Sequence, residues 1–283
     1  AWSQLGGDID EEASYDNLGW SVSLSSDGTI VAIGALYNDA NGSSSGHVRV
    51  YEYDNNTSSW VQKGTDIDGE AAFDYSGTSV SLSYDGSIVA IGADGNAGNG
   101  DSSGHVRVYE WKEFTQSMVN HYHYSDQTQD SNQTKPLIIT SKDTDGNYIA
   151  PTIGDFYWTQ LGTDIDGEAA GDRSGISVSL NSSGDIVAIG ANLNNGTNGN
   201  ASGHVRVYQY TNGSWVQKGD DIDGEAAFDK SGNSVSLSDN GKIVAIGATD
   251  NDGNGSDSGH VRVYEWKEFT GGNYHYSDQT QDS

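Results

Sequence analysis

The sequence predicts an all-β protein, a β-propeller built from four four-stranded repeat blades. Three observations predict it. The hexapeptide Gly-His-Val-Arg-Val-Tyr occurs four times, at 46–51, 104–109, 203–208 and 259–264. Each copy follows the same text: a Trp, Asp-Ile-Asp, Ser-Val-Ser-Leu, and Ile-Val-Ala-Ile-Gly-Ala. The chain is rich in Gly (38 of 283 residues), almost free of Pro (2), and lacks helical periodicity. A single four-stranded unit leaves both its faces bare, so neighbouring units must supply the cover.

Each element of the unit is legible in order. Ser21-Val-Ser-Leu-Ser alternates as a strand with two different faces does. The turn at Asp27-Gly28 leads into Ile30-Val-Ala-Ile-Gly-Ala35, a nearly continuous apolar run expected to be buried on both sides. A polar loop (36–45) then reaches Gly46-His-Val-Arg-Val-Tyr-Glu-Tyr53. Trp60-Val-Gln-Lys reads as the fourth, outer strand, and equivalent segments begin at Trp2, Trp158 and Trp215.

The expected blades span about 14–64, 72–111 plus 157–162, 170–219 and 227–266. If each Trp strand closes the preceding blade, the fourth blade has none after Trp266, and residues 1–6 are expected to complete it, in the same chain or in a neighbour. An insert of about forty residues (112–156) splits the second blade. Within it Tyr122-His-Tyr124, Leu137-Ile-Ile-Thr140 and Tyr148-Ile-Ala150 read as short strands. Residues 267–283 repeat its beginning, as a second insert or linker, so a larger repeat runs from Trp2 to Trp158. Either the protein ends at 283, or the sequence is a window of a longer tandem polymer, and the second is the expectation favoured by the repeat.

Composition excludes several functions. The net charge is -28, with 41 acidic against 13 basic side chains, which repels nucleic-acid phosphates and anionic lipid. With no Cys, neither disulfides nor thiolate metal sites can form. No apolar run approaches the ~20 residues of a membrane span.

Ser76-Gly-Thr-Ser-Val80, Ile88-Val-Ala-Ile-Gly-Ala93 and Gly104-His-Val-Arg-Val-Tyr109, with their counterparts in the other units, resemble the FG-GAP repeats of integrin-α-type propellers. The Trp-x-Gln-Leu-Gly-x-Asp-Ile-Asp-Gly-Glu-Ala text is also similar to long repetitive secreted proteins of aquatic microbes. The resemblance implies a propeller and an extracellular setting rather than an activity. The family's Phe-Gly is Ser-Gly here, or Leu18-Gly19 in the first unit. Its calcium loop needs alternating oxygen ligands, where this chain has Ser23, Ser25 and Asp27. The family's calcium sites are therefore not carried over.

Four copies of one His-Val-Arg strand cannot all line one pocket, so Arg49, Arg107, Arg206 and Arg262 are expected to be structural. Each buried guanidinium needs a carboxylate. The candidates are the Asp-Ile-Asp-x-Glu turn and the Asp before Ser-Gly (Asp74, Asp172, Asp229, and Asp16 in the first unit). The alternative for such turns is a hard cation such as calcium, at Asp66, Asp68 and Glu70, or at Asp143 and Asp145 in the insert. His121, Tyr122, His123 and Tyr124 could stack on a sugar or bind a metal, or else pack the insert onto its blade. Asn-x-Ser/Thr sequons stand at Asn41, Asn55, Asn56, Asn132, Asn181, Asn195, Asn200, Asn212 and Asn254.

No nucleophile–base spacing, phosphate loop or His-Glu metal motif is present, so no enzyme is expected. The expected function is an extracellular structural unit of a fibre, sheath or adhesive layer, partnered by copies of itself. The alternative is a polysaccharide-binding lectin or adhesin.

Overall fold

A computed structural model of the protein describes residues 1–115, 122–124, 137–139 and 152–267. It is all-β, with four antiparallel sheets as propeller blades. The first holds β1 (Ser21–Leu24), β2 (Ile30–Ala35), β3 (His47–Asp54) and β4 (Ser59–Gln62) in that order. A two-residue strand, β5 (Ile67–Asp68), pairs with the beginning of β3. The Asp-Ile-Asp segment expected as a turn is thus partly a strand.

The second blade repeats the pattern with β6 (Ser79–Leu82), β7 (Ile88–Ala93) and β8 (His105–Glu113). Its outer strand comes from beyond the insert, as expected. Two short insert strands, β9 (Tyr122–Tyr124) and β10 (Leu137–Ile139), join that sheet outside β11 (Phe156–Gln160), and β12 (Ile165–Asp166) takes the place of β5. The expected strand at 148–150 lies outside the described residues. The third blade comprises β13 (Ser177–Leu180), β14 (Ile186–Ala191), β15 (His204–Thr211), β16 (Ser214–Gln217) and β17 (Ile222–Asp223). Among the described residues the fourth has β18 (Ser231–Leu237), β19 (Ile243–Ala248) and β20 (His260–Glu265).

Each hairpin after the first strand is closed by its own side chains. Ser25 Oγ donates to Asp27 Oδ1, and the Ile30 amide donates back to Ser25 Oγ at 2.9 Å. The second blade repeats this with Ser83 and Asp85. Where the family resemblance would put a calcium loop, this chain has a hydrogen-bonded turn.

The core lies between blades, not within them. Val48 and Val50 of the first blade pack with Val80, Leu82 and Ile91 of the second. Val106 and Val108 pack with Val178, Leu180 and Ile189 of the third, and Val205 packs with Val244 and Ile246 of the fourth. Serine hydroxyls stitch the same seams. Ser21, Ser79 and Ser177 donate to the carbonyls of Gly77, Gly175 and Gly232 of the next blade. In return Ser23, Ser81 and Ser179 accept from the amides of Leu82, Leu180 and Leu237, each at 2.9 Å.

Residues 1–6 do not complete the fourth blade within the same chain, which leaves only the neighbour half of the expectation open. Trp2 is fully exposed, and Leu5 lies beside the first blade, its carbonyl accepting from Trp60 Nε1 at 2.9 Å. Trp158 and Trp215 make the same bond to Lys63 and Leu161, residues that follow the outer strand of the preceding blade. The N-terminal segment therefore occupies the outer-strand position of a blade upstream of the first. Among the described residues no hydrogen bond links the first sheet to the fourth.

Candidate functional site: the charged joints between blades

The repeated charges meet where one blade passes to the next. The Asp-Ile-Asp-Gly-Glu turn pairs through β5 with the blade behind it, while its Glu and a main-chain carbonyl face the blade ahead. Arg107 Nη2 donates to the carbonyl of Asp68 at 2.7 Å, and its Nη1 lies 3.7 Å from Glu70. Arg206 does the same with Asp166 and Glu168, and Arg262 with Asp223 and Glu225. Each of these guanidiniums also lies 5.4–5.6 Å from the centre of the next-but-one Tyr ring, Tyr109, Tyr208 or Tyr264.

The first unit departs from this scheme. Glu11 stands where the other turns have Gly69, Gly167 and Gly224. A Cβ at those glycines would lie 2.0 Å from the carbonyl oxygen of Ser45, Ser103 or Ser202 in the blade behind, so only Gly permits the approach. With no blade behind the first turn, Glu11 fits, and it joins Glu12 and Asp66 around Arg49.

His47, His105 and His204 sit fully buried beside the arginines. Burial, and then the charge of Arg107, hold the His105 imidazole neutral, with its pKa lowered to about 3. His204 is lowered for the same two reasons. Burial raises Asp68, with Asp66 adding repulsion, and burial raises Glu70 against the opposing pull of Arg107. Arg107 itself is held charged: burial works against the guanidinium, but Tyr109, Glu70 and Asp164 more than offset it.

The weak metal candidates separate into different joints. Asp66 and Asp68 cluster with His47, whereas Glu70 clusters with His105 and Asp164; Glu168, His204 and Asp221 form a third group. Neutral imidazole with two carboxylates is a metal-capable donor set. In each group, however, an Arg supplies the positive charge the carboxylates need, most directly Arg49 Nε at 3.1 Å from Asp66. Asp143 and Asp145 lie outside the described residues, as do Asn132 and His121. Tyr122, His123 and Tyr124 fall in β9.

The Asp before Ser-Gly makes no direct salt bridge to Arg, contrary to one of the two expectations, and Asp74 acts on Arg107 only at longer range. Asp16, Asp74, Asp172 and Asp229 instead accept from Asn38, Asn96, Asn194 and Asn251, at 2.7–3.2 Å. Those asparagines escaped notice in the sequence, although each stands three residues after the Gly-Ala pair. They pin the long loop before the third strand to the segment that opens the same blade. Of the sequons, Asn55, Asn56, Asn195, Asn200, Asn212 and Asn254 are exposed. Asn181 is buried, its amide bound to Ser183 and Asp185, and Asn41 donates its amide to the Gly69 carbonyl. In the folded chain neither of these two presents a free amide.

Residues 10–51 match the family model of the FG-GAP repeat. No curated protein sequence matches the chain. Among solved structures, hydrazine synthase of Kuenenia stuttgartiensis aligns with 92% of this chain at 11% identity and a TM-score of 0.45. The chain spans 49% of that structure's length. A putative 6-phosphogluconolactonase from Bacteroides uniformis aligns with 90% of this chain and 74% of its own, at 16% identity and a TM-score of 0.36. FG-GAP repeats are typical of extracellular proteins, and among the described residues no helix is long and apolar enough to cross a membrane. The repeat match at 10–51 and the four blades together support a β-propeller with FG-GAP-type repeats.

Proposed function

We propose that the chain is an extracellular structural repeat protein, the building unit of a fibre, sheath or adhesive surface layer, with N-linked glycans on its loops. One observation carries this reading: the His, Arg and acidic residues common to all units are consumed, blade by blade, in separate joints. Repeat-wide charges that hold the repeat together leave catalysis no shared cleft to use, and we assign the chain none. Its partners on this reading are copies of itself in a tandem or polymeric assembly. Six exposed sequons on the loops provide glycan positions that disturb no ladder.

Electron microscopy of the native material tests the reading, combined with glycopeptide mass spectrometry. Regular filaments or sheets are expected, with glycan on some of Asn55, Asn56, Asn195, Asn200, Asn212 and Asn254 and none on Asn181. Dispersed single particles, or glycan at Asn181, would contradict it. The lectin alternative draws on the insert's aromatics, whose side chains lie outside the described residues. Retention on a polysaccharide column that is lost on His123→Ala would favour it.

A further inference from the structure

The two ends of the blade series are bare, and they are complementary. On the first blade Val22 and Leu24 are 64% and 60% exposed, where their counterparts Val80 and Leu82 are 9% and 7%. On the fourth, Val261 and Val263 are 67% and 64% exposed, where Val106 and Val108 are 0% and 1%. Three internal joints show which surface fits which: the Val-x-Val face of one blade covers the Val-x-Leu face of the next.

Among the described residues the fourth blade has no outer strand, and a groove marks its place. It has a volume of about 190 Å³ and is lined by Lys218, Gly219, Lys242, Val244, Tyr264 and Trp266, among others. In the second blade the equivalent place holds Trp158, its ring 5.3 Å from that of Trp111 and its Nε1 bonded to the Lys63 carbonyl. Trp266 and Lys218 are the counterparts of Trp111 and Lys63.

A strand of the right sequence stands unpaired at the other end. Trp2-Ser-Gln-Leu matches Trp158-Thr-Gln-Leu and is already bent as an outer strand: Gln4 Nε2 donates to Asp8 at 2.7 Å. Gln62, Gln160 and Gln217 make the same bond to Asp66, Asp164 and Asp221. Those three aspartates each complete a His cluster in the blade they close. His260 Nδ1 lies 3.7 Å from Glu225, and among the described residues no such aspartate joins it.

We propose that a second copy of this chain docks head to tail: its Trp2–Gln4 strand adds to β20 of the first copy, Trp2 fills the groove on Trp266, and Asp8 reaches His260. Val22 and Leu24 of the incoming copy then cover Val261 and Val263. The pairing follows the second blade, where Trp158 faces Trp111 and Gln160 faces Tyr109, so Trp2 faces Trp266 and Gln4 faces Tyr264. Such a joint is heterologous, leaving one donor and one acceptor end free, so copies add without limit unless the series closes. Glu11, in the position of the turn glycines, meets the Ser258 region of the partner and makes this joint looser than those within the chain. This inference deepens the structural-unit reading by naming its joint.

Sedimentation of the full chain over a wide concentration range tests it. Wild type is expected to grow past the dimer as concentration rises. A head-blocked variant (V22D/L24D) and a tail-blocked variant (V261D/V263D) should each stay monomeric, yet an equimolar mixture should stop at one heterodimer. All four positions are solvent-exposed, so both variants should keep the wild-type circular dichroism. E11G should strengthen wild-type association about tenfold, and W2A should weaken it by at least as much. A wild type that stays monomeric throughout, with Trp2 already quenched, would mean closure within one chain and overturn the proposal. So would a single-face variant that still assembles. Monomers here alongside filaments in native material would reject this joint and leave the structural-unit reading standing.

Discussion

Arg107→Ala is expected to lower stability by about 3–5 kcal/mol, the cost of breaking a buried charge pair. The side chain is 1% exposed, donates to the Asp68 carbonyl, and balances Glu70, Asp164 and Asp74. Its loss leaves those carboxylates near one another without the cation between them, and leaves the Asp68 carbonyl without its donor. The thermal midpoint should fall by roughly 10 °C, at about 2–4 °C per kcal/mol for a chain of this size. Arg262→Ala should cost much less, because that side chain is 21% exposed and the blade beyond it is missing. Equal losses at the two sites, read by calorimetry, would show that the guanidiniums serve something other than the joints.

Gly92→Ala is the second large effect. A Cβ there would lie 2.0 Å from the Gly175 carbonyl of the following blade, and the obstacle is main chain, which cannot rotate aside. Separation of the two blades is the only relief, so a loss of about 3 kcal/mol or more is expected. Gly190→Ala should behave alike, against the Gly232 carbonyl. Gly247→Ala is the internal control. Its nearest neighbour is Ser234 Oγ of its own blade, a group Gly92 also has in Ser79, and no following blade faces it. Its expected change is near zero, and the difference between the two variants isolates the closeness of the blades from any effect of alanine in a strand.

Much of the fold was legible because the repeat wrote it four times. The period-two alternation of Ser-Val-Ser-Leu, the apolar Ile-Val-Ala-Ile-Gly-Ala and the Trp strand became β1, β2 and β4 with their expected neighbours. The interruption of the second blade by the insert was equally plain, since Trp111 and Trp158 pair across it. Partner choice was not legible. Nothing in the spacing separates the Asp of Asp-Ile-Asp-Gly-Glu from the Asp before Ser-Gly as a mate for Arg, because both lie close to the strand only after the chain has folded. The asparagines that took the second Asp were visible as repeats, but Asn in a Gly-rich loop reads first as turn chemistry. The fate of Trp2 was hidden for a different reason. A strand that can complete either its own ring or a neighbour's has the same sequence in both cases, and the bare faces of the first and fourth blades show only that its own ring stays open.

Hydrogen exchange of the dilute protein tests most directly whether blades depend on one another for cover. Stability in such an array is a sum of unit and interface contributions, so a unit with one interface opens more readily than a unit with two. Amides of β7 and β14, each flanked by blades on both sides, should exchange most slowly. Those of β2 and β19 should exchange sooner, at a rate reflecting the missing neighbour. Uniform protection across all four blades at that dilution would contradict the account, since it requires either that each blade stands alone or that the first and fourth already cover each other.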